Sequence, residues 1–333
     1  MAELKYPRTL LQAVRYFADP KVCLDFMVAM RWLKGVTCPR CGSKEVTFIS
    51  TRRIWKCKAD HERQQFSVKV GTVMEDSPIG LDKWLPAMWL LASCKNGISS
   101  YELARGLKVT QKTAWFMLHR IRLAMQESGG VLGGDGKTVE VDETWIGGKA
   151  RNMNRGRQAK IKTGAKMGPY AYTGKAIVLG MLERGGRVVA KVVPNVKRKT
   201  LVPKVKEHVE LGTEVHTDAL GSYLGLESRI SEERFGEPMY EHKVVDHAVE
   251  YVRDNVHVNG VENFWSLLKR AIRGTYVSVE PFHLFRYLDE QAFRFNTRKQ
   301  GDGDRFVDVV RAVVGKRLTY RGLIGGDSLL ATA

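Results

Sequence analysis

The sequence predicts an α/β protein in which a mixed domain of strands and helices follows a cysteine-bearing ribbon and a helical region. Three observations predict it. Asp142 ends a β-like run, Thr138-Val-Glu-Val-Asp142, Asp218 ends a second, Thr213-Glu-Val-His-Thr-Asp218, and Glu262 lies in the first turns of an amphipathic helix that begins near Val258. Cys38-Pro-Arg-Cys41 stands in a stretch of short β-like runs, with Cys57 and His61 beyond it. Gly129-Gly130 and Gly133-Gly134-Asp-Gly136 form a flexible joint at which helical periodicity gives way to a mixed pattern.

Each element follows from its local pattern. In an N-terminal segment, 1–35, Leu10, Leu11, Val14 and Phe17, then Cys23, Leu24, Met27 and Met30, recur near the 3.6-residue period and predict helix over 8–34. Cys23 reads as a small core residue there, since free cysteine packs as an apolar side chain. Residues 36–78 read as a ribbon of short strands. Residues 79–130 read as three helices. The first spans Leu81–Lys95 and stops at Asn96-Gly97, the second opens with the capping-box pattern Ser99-Ser-Tyr-Glu102, and the third runs from about Thr110 to Glu127. Trp84, Trp89, Trp115 and Cys94 read as core. Beyond the glycine joint the sequence predicts a strand near 138–146 and a hairpin of Ala176–Leu182 and Arg187–Val193 joined by Glu183-Arg-Gly-Gly186. A helix around 200–210, the strand carrying Asp218, a β-like run near 239–245, and helices at about 259–273 and 281–297 complete a domain of 131–300. Residues 301–333 read as a C-terminal tail. Strand Asp, hairpin, helix, strand Asp, helix Glu is the order expected of an RNase H-like fold.

Composition narrows the partners. A net charge of +18 and a pI near 9.7 predict attraction to a polyanion. No apolar run approaches the roughly 18 residues that a bilayer span needs. The first residues, Met1-Ala-Glu-Leu-Lys-Tyr-Pro, lack the apolar core of a secretory signal. Five cysteines, three of them clustered about a CxxC, suit metal binding in a reducing compartment better than a disulfide framework.

Four constellations carry chemistry. Cys38 and Cys41 can hold one Zn²⁺ with Cys57, and the fourth ligand is either His61, at a CxxxH spacing, or Asp60, at the position a second CxxC would use; imidazole is the commoner partner of thiolates. Ala104, the turn at Gly106-Leu107, then Val109-Thr110 and Thr113-Ala114 fit a helix-turn-helix, whose second helix would present Gln111, Lys112, His119, Arg120 and Arg122 to DNA. Gly147–Lys175 carries eight cations, among them Lys149, Arg151, Arg155 and Arg157, and no acidic residue, a composition suited to phosphate contacts. Asp142, Asp218 and Glu262 can converge on hard divalent cations, as phosphodiester chemistry requires. On the last helix, Glu262, Lys269 and Arg273 share one face, while Val261, Phe264, Leu268 and Ile272 mark another. Glu143 adjoins Asp142 but points the opposite way in a strand. Asp246, Glu250 and Asp254 precede the helix as competing acids. The combination points to a DNA strand-transfer enzyme.

These segments resemble a known family. Cys38-Pro-Arg-Cys-Gly42, Phe66-Ser-Val-Lys-Val-Gly-Thr-Val73, Val141-Asp-Glu-Thr-Trp-Ile-Gly-Gly-Lys149, His216-Thr-Asp218, His257-Val-Asn-Gly-Val-Glu-Asn-Phe-Trp-Ser-Leu-Leu-Lys-Arg270 and Arg286-Tyr-Leu-Asp-Glu-Gln-Ala-Phe-Arg-Phe-Asn-Thr-Arg298 are similar to bacterial insertion-sequence transposases of the ISXO type, which are related to the eukaryotic Merlin elements. The resemblance implies a zinc ribbon, a helix-turn-helix and an RNase H-like DDE domain. Asp142, Asp218 and Glu262 would then hold Mg²⁺ or Mn²⁺, with Lys269 the catalytic cation. The third position varies within the family, which sets Glu262 beside Asn259; carboxylate chemistry favours Glu262. The implied partners are transposon terminal inverted repeats and target DNA, bound by a homo-oligomer assembled on them in the bacterial cytoplasm, at the nucleoid, with no membrane. A nuclease of the same fold without strand transfer, and a non-catalytic zinc-ribbon regulator, are the alternatives.

Overall fold

In the computed structural model of the chain, which describes residues 6–127, 130–148, 155–162, 175–227, 239–245 and 256–325, two compact units are formed: Met1–Gln126 together with Lys299–Ala333, and Glu127–Arg298. In the first unit, the side chains of Thr9 and Asp19 accept hydrogen bonds from the Gln12 and Lys21 N–H groups and so open α1, Leu10–Tyr16, and α2, Pro20–Arg31. The period that predicts one helical stretch breaks at this second cap. Cys23 is fully buried on α2, as its sequence context predicts.

The ribbon is a three-stranded antiparallel sheet, β1 (Val46–Ile49), β2 (Ile54–Cys57) and β3 (Gln65–Phe66). Its small core is aromatic: Trp55 meets Phe48 at 5.1 Å, Phe66 at 6.0 Å and Trp32 of the preceding segment at 5.6 Å between ring centres. Three helices follow, α3 (Leu81–Ser93), α4 (Ser100–Leu107) and α5 (Gln111–Met125). Both bonds of the capping box at α4 are present, Glu102 N–H to Ser99 Oγ and Ser99 N–H to Glu102 Oε2. A left-handed Lys108 ends α4, and Thr110 caps α5 two residues later.

The end of the chain differs from its sequence reading. Residues expected to be a tail form α10 (Asp302–Arg311) and a short α11 (Tyr320–Leu323). Phe306, fully buried, meets Phe17 at 5.5 Å, Phe26 at 5.8 Å and Trp89 at 5.2 Å, so α10 completes the core of the first unit. Backbone bonds Val73 N–H to Val313 O and Gly315 N–H to Gly71 O join the same segment to the residues after the ribbon. The physical reason is the apolar stripe Phe306, Val307, Val309 and Val310, which a polar tail would lack.

The second unit is built on a five-stranded sheet, β4 (Thr138–Ile146), β5 (Ala176–Glu183), β6 (Val188–Val193), β7 (Glu214–Asp218) and β8 (Glu241–Val245), in the order β6-β5-β4-β7-β8. β6, β5 and β4 pair antiparallel; β4, β7 and β8 pair parallel. This mixed sheet is consistent with an RNase H-like arrangement. Alternation along the central strands divides the core. Val139, Val141, Leu179, Met181 and Val215 face α7 (Arg198–His208), whereas Val178 and Leu182 face α8 (Asn259–Ala271) and α9 (Leu284–Asn296). The side chain of Asn296 pairs with the backbone N–H and carbonyl of Val188, so the end of α9 covers part of the open edge of β6. A further helix, α6, spans Arg155–Lys162. No described helix is long and apolar enough to cross a membrane.

Candidate active site and metal centre

Asp142 lies inside β4 rather than at its end, because pairing with β5 continues to Ile146. Pairing with β7 stops earlier, at Val141 with Thr217, so Asp142 and Asp218 are neighbours at the carboxyl end of the parallel pair. Adjacent strands stand about 4.8 Å apart, and residues in parallel register present their side chains to the same face. That face is covered by α8, whose Val261, Phe264, Trp265, Leu268 and Ala271 are buried while Glu262 stays exposed. Trp265 Nε1 donates a 2.8 Å hydrogen bond to Asp142 Oδ2, one helical turn from Glu262. Asp218 accepts the Leu220 N–H at 3.2 Å, a local turn that orients its carboxylate.

Asp142, Asp218 and Glu262 are not gathered within 4.8 Å of one another, yet Asp142 feels both of the other charges. Burial first, and then repulsion from Asp218 and Glu262, push the Asp142 carboxyl up to about 6, against the indole bond from Trp265. Hard oxygen donors that repel one another fit a divalent cation such as Mg²⁺ or Mn²⁺, which would remove that repulsion. Glu143 faces the other side, as alternation predicts: it is buried and accepts the Tyr223 hydroxyl at 2.7 Å. Burial, with Asp218 and Asp142 adding, raises it to about 7.

Lys269 is half-buried two turns along α8 from Glu262. Arg273, expected on the same face, is exposed within a π-helical turn, Ile272–Tyr276, that widens the helix and shifts it from the regular register. Arg155 is exposed at the start of α6, which also contains Arg157. Lys149, Arg151, Asp246, Glu250 and Asp254 lie outside the described residues.

The ribbon gathers the four sulfur and nitrogen ligands read from the sequence. Ligand atoms of Cys38, Cys41, Cys57 and His61 all lie within 4.8 Å of one another, and among the described residues no other group of three or more such side chains is drawn together in this way. Cys38 Sγ is 3.5 Å from His61 Nε2, and Cys41 Sγ is 3.6 Å from Cys57 Sγ. His61 Nδ1–H donates to the Glu62 carbonyl at 2.7 Å, which leaves the Nε2 lone pair for a metal. Asp60 is exposed and outside the group, so His61 is the fourth member. Burial opposes ionisation of Cys38, but the Arg40 and Cys41 N–H groups and the thiols of Cys41 and Cys57 outweigh it and bring the thiol down to about 7. Three thiols and an imidazole at these separations are the donor set that Zn²⁺ takes.

The second helix of the expected helix-turn-helix is only partly an outer surface. Gln111 donates to Ser100 Oγ at 2.9 Å, and Lys112 is exposed, its Nζ 4.7 Å from the centre of the Tyr320 ring. His119, Arg120 and Arg122, read as facing DNA, are buried. Arg120 donates through Nε to the Leu318 carbonyl and through Nη1 to the Glu75 carbonyl, each at 3.0 Å. Carbonyls supplied from far along the chain satisfy the guanidinium, which is why its charge misleads in the sequence. Trp84 and Trp89 are buried as expected, whereas Trp115 and Cys94 are half-buried.

Several residues packed around the acid-bearing segments escape a reading of the sequence: Trp265, Gly180, Glu140, Arg184, His216, His257 and Gly260. Glu140, His216, His257, Gly260 and Trp265 lie two to five residues from an acid in the sequence, whereas Gly180 and Arg184 are brought to Asp142 only by the pairing of β4 with β5.

Comparison with known proteins agrees with this architecture. The family model of the ISXO2-like transposase domain matches residues 131–296, and that of the transposase zinc-ribbon domain matches residues 19–61. An "Uncharacterized protein in transposable element ISH50" from Halobacterium salinarum is 24% identical over 267 residues, covering 78% of this chain and 85% of its own. An "Uncharacterized transposase-like protein" from Haemophilus influenzae is 32% identical over 110 residues, 33% of this chain and 81% of its own. No solved structure matches the chain.

Proposed function

The chain belongs to the ISXO2-like transposases, and on that premise we propose that it binds the ends of an insertion sequence, cleaves a DNA strand there and joins the freed end to target DNA. The observation that carries the reading is the register of β4 and β7, which sets Asp142 beside Asp218 under the helix that bears Glu262. These three residues would hold Mg²⁺ or Mn²⁺. When bound, such a cation supplies Lewis-acid activation of a water and charge stabilisation at the leaving 3′ oxygen.

The chain's own residues do the rest. Trp265 fixes one Asp142 oxygen and so directs the carboxylate. Lys269, on the same side of α8 as Glu262, positions a substrate phosphate, and Arg155, Arg157 and Arg273, with Lys149 and Arg151, add phosphate contacts that carry affinity without sequence information. The turn between α4 and α5 is read as a helix-turn-helix, in which Gln111 and Lys112 at the start of α5 approach bases of the terminal repeat. Zn²⁺ on Cys38, Cys41, Cys57 and His61 holds a ribbon too small to fold on its own core. The active form is a homo-oligomer assembled on DNA. One phosphodiester replaces another, so no nucleotide cofactor is required.

Joining of a pre-cut 3′ end separates this reading from a nuclease of the same fold. With Mg²⁺ and the flanking terminal repeats, the protein is expected to transfer that end into a second duplex. Cleavage without any joined product would overturn it.

A further inference from the structure

One guanidinium is bonded to all three segments that carry the acids. Arg184 follows β5, and its own N–H donates to the Thr138 carbonyl at the start of β4. Its Nε donates to Glu140 Oε1 at 2.9 Å, two residues before Asp142. Its Nη2 donates to His216 Nδ1 at 3.1 Å, two residues before Asp218, and to the His257 carbonyl at 3.0 Å, five residues before Glu262.

The neighbours pass this constraint on. Glu140 is 1% exposed, and its second oxygen accepts the Val261 N–H at 3.0 Å, immediately before Glu262. Gly260 permits that approach, since a Cβ there would stand 2.8 Å from the same oxygen. Because Arg184 can only donate, His216 Nδ1 accepts, its Nε2 carries the proton, and that proton goes to Glu214 at 2.5 Å. Glu214 is held in turn by Lys243 at 2.6 Å.

We propose that Arg184 is a positioning residue that sets the spacing of Asp142, Asp218 and Glu262, and through it the affinity for the divalent cation. In this role it acts through Glu140, His216 and the His257 carbonyl. The inference rests on the carboxylate reading above. A planar fork with donors at fixed angles reaches Glu140, His216 and the His257 carbonyl at once, whereas an ammonium on a flexible stem cannot hold that geometry. Arg184 also neutralises Glu140, a buried carboxylate two residues from Asp142.

The test uses the full chain and Mn²⁺ as probe, with free Mn²⁺ read by electron paramagnetic resonance and cation-free thermal unfolding measured alongside. Arg184→Gln is expected to stay folded and to weaken Mn²⁺ binding about 10-fold or more, the usual effect of removing a group that orients metal ligands. Arg184→Lys, which keeps the charge, is expected to recover little of that loss. A folded Arg184→Gln protein whose Mn²⁺ affinity stays within about twofold of wild type overturns the proposal, as does full recovery by lysine. Should Arg184→Gln fail to fold, Glu140→Gln decides, because it keeps an acceptor for Val261: weakening of about 10-fold supports the role, and unchanged affinity ends it. Asp142→Asn separates ligation from positioning. If it binds Mn²⁺ as wild type does, the carboxylate reading falls and takes this inference with it. If it loses Mn²⁺ while Arg184→Gln does not, only the positioning role falls.

Discussion

Gly180 lies directly opposite Asp142 across the β4–β5 pair, and a Cβ on it would stand 2.5 Å from the Trp265 ring. The missing side chain is the space through which the indole reaches the carboxylate. Gly180→Ala should therefore displace Trp265, cost about 1–3 kcal/mol as an overpacked core does, and lower the cleavage rate. Trp265→Phe keeps most of the ring and removes the donor, with an expected loss near 1 kcal/mol. Denaturant unfolding and cleavage of a terminal-repeat duplex, measured on both variants, check the pair. Wild-type cleavage by Gly180→Ala would show that the indole bond has no bearing on the site.

The acids should trade stability for chemistry. Folded Asp142 prefers its proton, so its ionisation destabilises the cation-free protein progressively as pH rises from the ordinary 3.8 to about 6, and fully above that. In EDTA at neutral pH, Asp142→Asn should be more stable than wild type by about 1–3 kcal/mol, with the difference vanishing toward pH 4. Added Mg²⁺ should raise the melting temperature of wild type and not that of the variant. Asp142→Asn, Asp218→Asn and Glu262→Gln should each lose cleavage while still binding DNA ends. Near-normal cutting by any one of them removes that residue from the set.

Zinc should be held at about one ion per chain. Elemental analysis is expected to show it lost from Cys57→Ser and His61→Ala and retained in Asp60→Ala. Emission from Trp55, which lies in the ribbon core, should shift when a chelator removes the metal. Full occupancy in His61→Ala would return the fourth position to another donor.

Charge on the surface and charge in the interior should behave differently. Neutralising Arg155 and Arg157 is expected to weaken DNA binding across sequences and to flatten its salt dependence by about 0.9 of a logarithmic unit for each phosphate left without its cation. Arg120→Ala should instead destabilise the first unit by about 2–3 kcal/mol, since the buried Leu318 carbonyl and the part-buried Glu75 carbonyl lose a charged donor. Its salt slope should be unchanged. A flattened slope for Arg120→Ala, measured by titration at several salt concentrations, would contradict its interior position.

Most elements were legible because their signals are local. The Ser99–Glu102 box, the hairpin turn at Glu183–Gly186 and the alternation that separates Asp142 from Glu143 all act within a few residues. The zinc group was legible for the same reason, apart from the choice between neighbouring Asp60 and His61, which needed the turn at Glu62. What escaped depends on partners distant in sequence. Nothing near Gly180 announces the indole of Trp265, and nothing near Arg120 announces the carbonyl of Leu318. The tail was misread because Phe306 finds its aromatic neighbours almost three hundred residues earlier.

That last placement bears on how the protein is made. The unit that begins first at the ribosome is finished last, because α10 must be synthesised before Phe17, Phe26 and Trp89 can close their core. The unit of Glu127–Arg298 has its whole sequence sooner and can fold while the earlier one waits. A chain cut before α10 would thus carry the unit of Glu127–Arg298 entire, joined to one in which Phe17, Phe26 and Trp89 lack the ring of Phe306.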